Sequence, residues 1–228
     1  DWKYTNVADV LQPQYQQPKL VDIAAEAIKP FLLEGLDVYL LVFVNGKYNI
    51  ELSSEDAVSK KIIVQAISTG LKKEGKTKAT ASEYLNKWAS ETNNSFRVLN
   101  TAFAQNGIYI DVPDGLVLDR PVHILNIAHT EAEPTVISPQ KIIVAGENSK
   151  LTVIETFHHL TNSQQTYFTN TVTQLVLKRN AIVDHYRIQD EVENAYFINN
   201  TELEQMRDST YSSYVVDLAG KLVRHNLS

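Results

Sequence analysis

The sequence predicts a mainly β protein: a parallel β-helix over residues 107–228, preceded by a small α/β portion over residues 1–106. Three observations carry this. Helix-spaced apolar residues stop near Gly107. Beyond it, short β-branched runs alternate with polar punctuation, the pattern of a sandwich, a barrel or a stacked solenoid. Finally, corner residues recur: Asp114-Gly115, Asn148, Asn180 and Asp208 follow one another at 34, 32 and 28 residues. A propeller blade would need about 40–45 residues, and a sandwich has no reason to repeat. Asn and Asp tolerate the left-handed backbone of a sharp corner.

In the N-terminal portion, Leu20, Ile23, Ala24, Ala27, Ile28 and Phe31 recur at helical spacing, which predicts a helix over about 20–34. Pro30 should kink it and Gly35 should stop it. Leu36 to Phe43 reads as a strand, and Asn45-Gly46 before a second run to Leu52 reads as a hairpin turn. Lys61 to Ser68 reads as another strand. Lys72 to Lys78 reads as a solvated loop. Residues 80–105 look helical, opened by the capping box Thr80-Ala81-Ser82-Glu83 and interrupted at Asn93-Asn94-Ser95. The predicted β runs of the second portion are Ile108–Val112, Leu116–Leu118, Val122–Ile127, Lys141–Val144, Leu151–Phe157, Thr171–Leu177, Ile182–Ile188, Tyr196–Asn199 and Tyr211–Leu218.

Composition removes several function classes. The 228 residues contain no cysteine, which excludes disulfides, thiolate zinc sites, a cysteine nucleophile and an iron–sulfur cluster held by the chain's own thiols. The formal charge of −6 argues against a dedicated nucleic-acid binder. No run of about 18 apolar residues could cross a membrane. Glycine is scarce, with 8 residues, and no Gly-x-Gly-x-x-Gly, Walker or Gly-x-Ser-x-Gly pattern occurs. The 11 tyrosines are scattered along strands, as core packing would have them. The triplets at Asn93, Asn199 and Asn226 read as chance glycosylation patterns, since no secretory signal opens the chain. Asp1 stands where an initiating Met would, and no capping element follows Asn226, although a solenoid needs a cap. The expectation is a fragment lacking both ends.

Candidate chemistry is sparse. His158 and His159 are neighbours on a strand and face opposite sides, so they cannot readily chelate one metal. Alternation puts Val183, His185 and Arg187 on one face and Asp184 and Tyr186 on the other. Nothing brings His123 and His129 together. His225 has no partner legible in the sequence. Asp190-Glu191-Val192-Glu193 could supply carboxylates but reads first as a solvated turn. Asp184 and Asp217 form another conceivable carboxylate pair.

Ordered strings then carry a family resemblance. Asp1-Trp2-Lys3-Tyr4-Thr5, Leu41-Val42-Phe43-Val44-Asn45-Gly46-Lys47-Tyr48 and Leu99-Asn100-Thr101-Ala102-Phe103 resemble SufD proteins of the SufB/SufD family. So do Tyr109 to Gly115 with Arg120 to Ile124, Gly146 to Ser149 with Thr152 to Glu155, and Leu218 to Asn226.

The resemblance implies a right-handed β-helix and a non-enzymatic scaffold in SUF iron–sulfur cluster assembly in the cytoplasm. It implies pairing with a SufB-type paralogue, whose thiolates ligate the cluster, and with a SufC-type ABC ATPase, in a complex that handles a nascent cluster and reduced flavin. The unpaired edges of end coils suit docking to a homologous partner. The family's cluster-relevant His and ATPase-binding helices lie past Ser228, so no catalytic, cofactor-binding or metal residue carries over. No cofactor is expected on this fragment, and the roles of His185 and His225 stay open. The alternative is a carbohydrate-active, pectate-lyase-like β-helix. A third reading is a self-associating module, a homodimer.

Overall fold

The computed structural model describes residues 7–54, 62–67, 84, 94–102, 107–130, 133–161 and 165–228. Among these the chain builds a β-solenoid. Its strands are β1 (Tyr39–Val44), β2 (Lys47–Asn49), β3 (Ile63–Ala66), β4 (Ile108–Val112), β5 (Val122–Ala128), β6 (Thr135–Ile137) and β7 (Gln140–Ala145). They continue as β8 (Lys150–His159), β9 (Tyr167–Leu177), β10 (Ile182–Asp190), β11 (Ala195–Gln205), β12 (Thr210–Asp217) and β13 (Leu222–Leu227). Helices are few: α1 (Ala8–Leu11), α2 (Ala25–Ile28), a 3₁₀ turn (Lys29–Phe31) and α3 (Ser95–Ala102). None is long and apolar enough to cross a membrane.

From β7 onward, successive strands alternate between two sheets. The first runs β12-β10-β8-β5-β1-β2, the second β13-β11-β9-β7-β4-β3, with β6 beside β9. All pairings are parallel except the β1–β2 and β3–β4 pairs. Ile182 lies beside Lys150 on one side and Thr210 on the other, offsets of 32 and 28 residues. One coil is therefore one sequence repeat.

The corners explain the period. Asn148, Asn180 and Asp208 take φ of 56°, 56° and 59°. In the earliest corner it is Gly115, at φ 72°, rather than Asp114 that turns left-handed. Corners stack through backbone bonds: the Gly115 N–H donates to Glu147 O, Asn148 to Arg179 O and Asn180 to Arg207 O. Asn180 Nδ2 also donates to Asn148 Oδ1 at 2.9 Å. Gly146 sits where the corner at Asp114 crosses, and a Cβ there would lie 2.5 Å from Asp114 N.

Alternation along each strand supplies the core. Leu41, Ile110, Ile124, Ile143, Leu151, Val153, Leu175 and Val183 meet between the sheets. On the outside of the first sheet, Ile28 and its neighbours Ile23 and Phe31 pack over Val42, Leu125 and Ile127. On the outside of the second, Phe96 of α3 packs edge-on against Phe168, with ring centroids 5.8 Å apart.

Several local expectations change. The predicted 20–34 helix shrinks to one α turn and one 3₁₀ turn. Pro30 removes a donor, and the preceding segment is held extended by tertiary contacts: Gln16 bridges Thr135, and Asn45 Nδ2 reaches Lys19 O. The predicted hairpin forms, with Asn45 at φ 50° and Gly46 at φ 78°. Leu116–Leu118 makes only a bridge, Val117 to Lys150, since it is confined between the Gly115 corner and Pro121. β11 extends well past Asn199, because its polar residues find partners: Asn200 with Asn94 and Asn226, and Glu202 with Arg97. β6 and β13 have no counterpart among the predicted runs. The Lys72–Lys78 loop and the Thr80–Glu83 capping box lie outside the described residues. The second stretch of that helix is α3.

β12 and β13 end their sheets. On β12 and just beyond it, Tyr214, Val216 and Leu218 are 50%, 48% and 63% exposed.

Candidate functional site

The interior of a coil is lined by every second residue of each strand. Following one such column through the first sheet gives Leu41, Ile124, Glu155, Arg187 and Val215 in register. The neighbouring column is Tyr39, Val122, Val153, His185 and Ser213. The early coils place hydrocarbon in the interior. The later coils place charge there.

Glu155 is the centre of that charge. Its Oε1 lies 2.5 Å from Lys141 Nζ, which reaches across from the second sheet. Its Oε2 accepts from Arg187 Nε at 3.1 Å and lies 3.2 Å from His185 Nε2. The Lys141 and Glu155 side chains are fully buried. Lys141 also donates to Thr171 Oγ1 at 2.8 Å, and Arg187 reaches Thr201 Oγ1 at 3.3 Å. Burial alone would raise the Glu155 carboxyl, but Lys141 and Arg187, with the His185 hydrogen bond, hold it well below the usual carboxylate range. Burial pushes the Lys141 ammonium down, against the opposing pull of Glu155. Burial, then Arg187, pushes His185 down, so its imidazole is neutral. The tautomer that satisfies both ring nitrogens donates Nε2–H to Glu155 and accepts the Tyr211 hydroxyl at Nδ1, 3.0 Å away.

One coil further, Asp217 Oδ1 lies 2.9 Å from His225 Nε2. The His225 ring rests on Phe197, 5.6 Å between centroids. Asp217 follows Gln189 in register, and His225 follows Asn199. Among the described residues, buried polar atoms with no protein partner accompany this stretch: Thr173 Oγ1, Asn199 Oδ1, Gln189 Oε1 and His225 Nδ1. The site offers charge, hydrogen bonds and neutral imidazoles. It offers no thiol.

His185 and His225 both enter the interior. His158 and His159 do face opposite ways: His158 lies on Phe31 and 3.6 Å from Asp190, whereas His159 meets Thr130 and Tyr167. His123 bonds Thr156 and does not meet His129. Asp184 and Asp217 are not paired: Asp184 lies beside Ser212, five register positions from Asp217.

The acidic tetrapeptide is not a solvated turn throughout. Glu191 is 5% exposed and accepts from Thr169 Oγ1 at 2.8 Å. Inward parity, continuing from Gln189, overrides the local polarity, and burial pushes its carboxyl up to about 7. Sequence reasoning missed Lys141 and Glu155 as site residues. The available signal was a charge at an inward position within an apolar run.

Among the described residues no three His, Asp or Glu side chains group to hold a metal ion. The Glu155 carboxylate is already paired with Lys141 and Arg187.

The family model for the SufBD protein N-terminal region matches residues 1–124. The model for the SUF system FeS cluster assembly SufBD core domain matches residues 127–228. The chain belongs to the SufB/SufD family. It is 27% identical over 233 residues to an iron–sulfur cluster assembly SufBD family protein of Synechocystis, covering all of this chain and 51% of that protein. It is 26% identical over 234 residues to the iron–sulfur cluster assembly protein SufD of Escherichia coli, covering 50% of that protein. The chloroplastic protein ABCI7 of Arabidopsis thaliana matches 58% of this chain at 26% identity, over 29% of its own length. The chain thus spans about half the length of the relatives it matches end to end. The end-to-end relatives are proteins named for iron–sulfur cluster assembly, and the carbohydrate-active alternative is not favoured.

Proposed function

We propose that this chain is the body of a SufD-type scaffold, with residues 1–106 as an α/β portion and 107–228 as the β-helix. It acts without catalysing a reaction itself, in the cytoplasm, beside a SufB-type paralogue and a SufC-type ABC ATPase. The observation that carries the reading is the succession of the two SufBD family models along the whole chain. The absence of cysteine supports a division of labour in which the paralogue's thiolates ligate the nascent cluster, the cargo of the complex. Reduced flavin would act in that complex. Docking to a homologous paralogue would use the unpaired backbone edges of an end coil. An exposed strand edge with apolar side chains is a template for strand-to-strand pairing.

The test is co-purification of the full-length protein with tagged SufB- and SufC-type partners, read by light scattering. A stable complex containing all three is expected. A full-length protein that stays alone or forms only homodimers would overturn the reading.

A further inference from the structure

The outer face of the first sheet carries a pair of aromatic rings outside the interior charge network. Along β10, Val183, His185 and Arg187 are buried toward the interior, so Tyr186 faces out. Tyr214 of β12 is the register partner of Tyr186. Parallel strands set such partners about 4.8 Å apart. The rings follow that spacing: their centroids are 4.7 Å apart and their planes differ by 11°. On the other side of Tyr186 stands Ile154, its partner on β8.

Tyr186 and Tyr214 are 40% and 50% exposed, and among the described residues they are the exposed tyrosines. Tyr39, Tyr109, Tyr167 and Tyr196 are buried. One-electron oxidation of a phenol also releases its proton. Burial pushes the Tyr109 and Tyr167 phenols up, against that release. A phenoxyl radical at the exposed pair meets no thiol of this chain that could reduce it, since the chain has no cysteine. Two such radicals held ring against ring need no diffusion to meet.

We propose that Tyr186 and Tyr214 form an oxidative modification site, where a one-electron oxidant, a high-valent metal or an oxygen radical, joins them as dityrosine. Each phenol gives one electron to the oxidant and its O–H proton to water. The two unpaired electrons then form a carbon–carbon bond between ring carbons ortho to the oxygens. Each of these carbons loses its hydrogen as a proton and each oxygen regains one, which restores both phenols. The net change is the loss of two electrons and two protons. The bond ties two successive coils together on the outside and leaves the interior as it was.

The test is photo-oxidation of the full-length protein, kept dilute, with tris(bipyridine)ruthenium and persulfate. Dityrosine fluorescence is expected in a band that stays monomeric on a denaturing gel. Mass spectrometry should find two proteolytic peptides linked through Tyr186 and Tyr214, lighter by two hydrogens. Tyr214→Phe keeps a ring in the stack but has no phenol to oxidise, and it should remove most of the monomer fluorescence. Unfolding in urea before the light is applied should lower the yield of the linked pair by about tenfold or more, because the fold supplies the proximity. Parent-level fluorescence in monomeric Tyr214→Phe would overturn the proposal. So would dityrosine formed only between molecules, tyrosines oxidised without the 186–214 link, or an equal yield of that link from the unfolded chain.

Discussion

The early and late coils of the solenoid solve the same packing problem with opposite chemistry. In register, Ile124 and Glu155 are neighbours in one interior column, and so are Val153 and His185 in the next. The early coils bury hydrocarbon, which stabilises by about 25 cal/mol per Å² removed from water and is tolerant of which hydrocarbon it is. The later coils bury Lys141, Glu155, Arg187 and His185, whose desolvation offsets most of their mutual attraction. Such a network contributes little net stability, yet it penalises any strand slip, because a shift by one residue strands a charge. The difference teaches that the late interior is specified by pairing, and the early interior by volume.

The largest expected effect breaks the charge network at its centre. Glu155→Gln leaves Lys141 and Arg187 buried without a carboxylate, and should cost about 3–5 kcal/mol in urea unfolding. Its register neighbour gives the contrast: Ile124→Val should cost only about 0.5–1.5 kcal/mol. Replacing Lys141, Glu155 and Arg187 together by Met, Leu and Met should be far milder than the single change, or even stabilising. A triple variant as damaged as Glu155→Gln would show that the network contributes more than specificity.

Next comes Glu191, a buried acid whose described partners, Thr169, Gln189 and Tyr167, are neutral. Its folded pKa of about 7 stands above the ordinary 4.5, because burial penalises the ionised form only in the fold. Its contribution to stability is therefore complete below about pH 4.5 and is lost as pH rises to about 7. The loss amounts to roughly 3 kcal/mol. Glu191→Gln should match the parent near pH 4 and exceed it by up to that amount at pH 8, measured by unfolding at each pH. Equal pH profiles in the two proteins would mean that Glu191 is solvated after all.

How much of this was legible differs between the two kinds of coil. Apolar runs such as Ile108–Val112 and Val122–Ile127 announced their strands nearly to the residue, since alternation and β-branching are local signals. The corners at Asn148, Asn180 and Asp208 were legible because a left-handed backbone restricts residue type. The polar interior was not. Asn200 to Glu202 lie outside the predicted Tyr196–Asn199 run, and Glu191 looks like a turn, until the neighbouring coil supplies partners some 20 to 30 residues away. Lys141 and Glu155 needed strand parity and cross-sheet geometry together, which only the closed coil provides. At the N-terminus the helical spacing of Leu20 to Phe31 was real, but Pro30 and the extended pairing of Gln16 overrode it.

The smallest effect addresses what the two kinds of coil share. Both turn at a left-handed residue: Gly115 in the early corner, Asn148 and Asn180 in the later ones. If the corner is a backbone device indifferent to the interior, Asn180→Gly should be nearly neutral, since glycine takes φ of 56° without strain and loses only the bond to Asn148. Asn180→Ala should cost about 1–2 kcal/mol, because a Cβ disfavours that conformation. Thermal unfolding of the two variants separates the contributions. An Asn180→Gly variant as unstable as Asn180→Ala would mean that the stacked Asn side chains, rather than the left-handed turn, hold successive coils in register. The corner would then belong with the late interior, as another place where pairing rather than shape sets the fold.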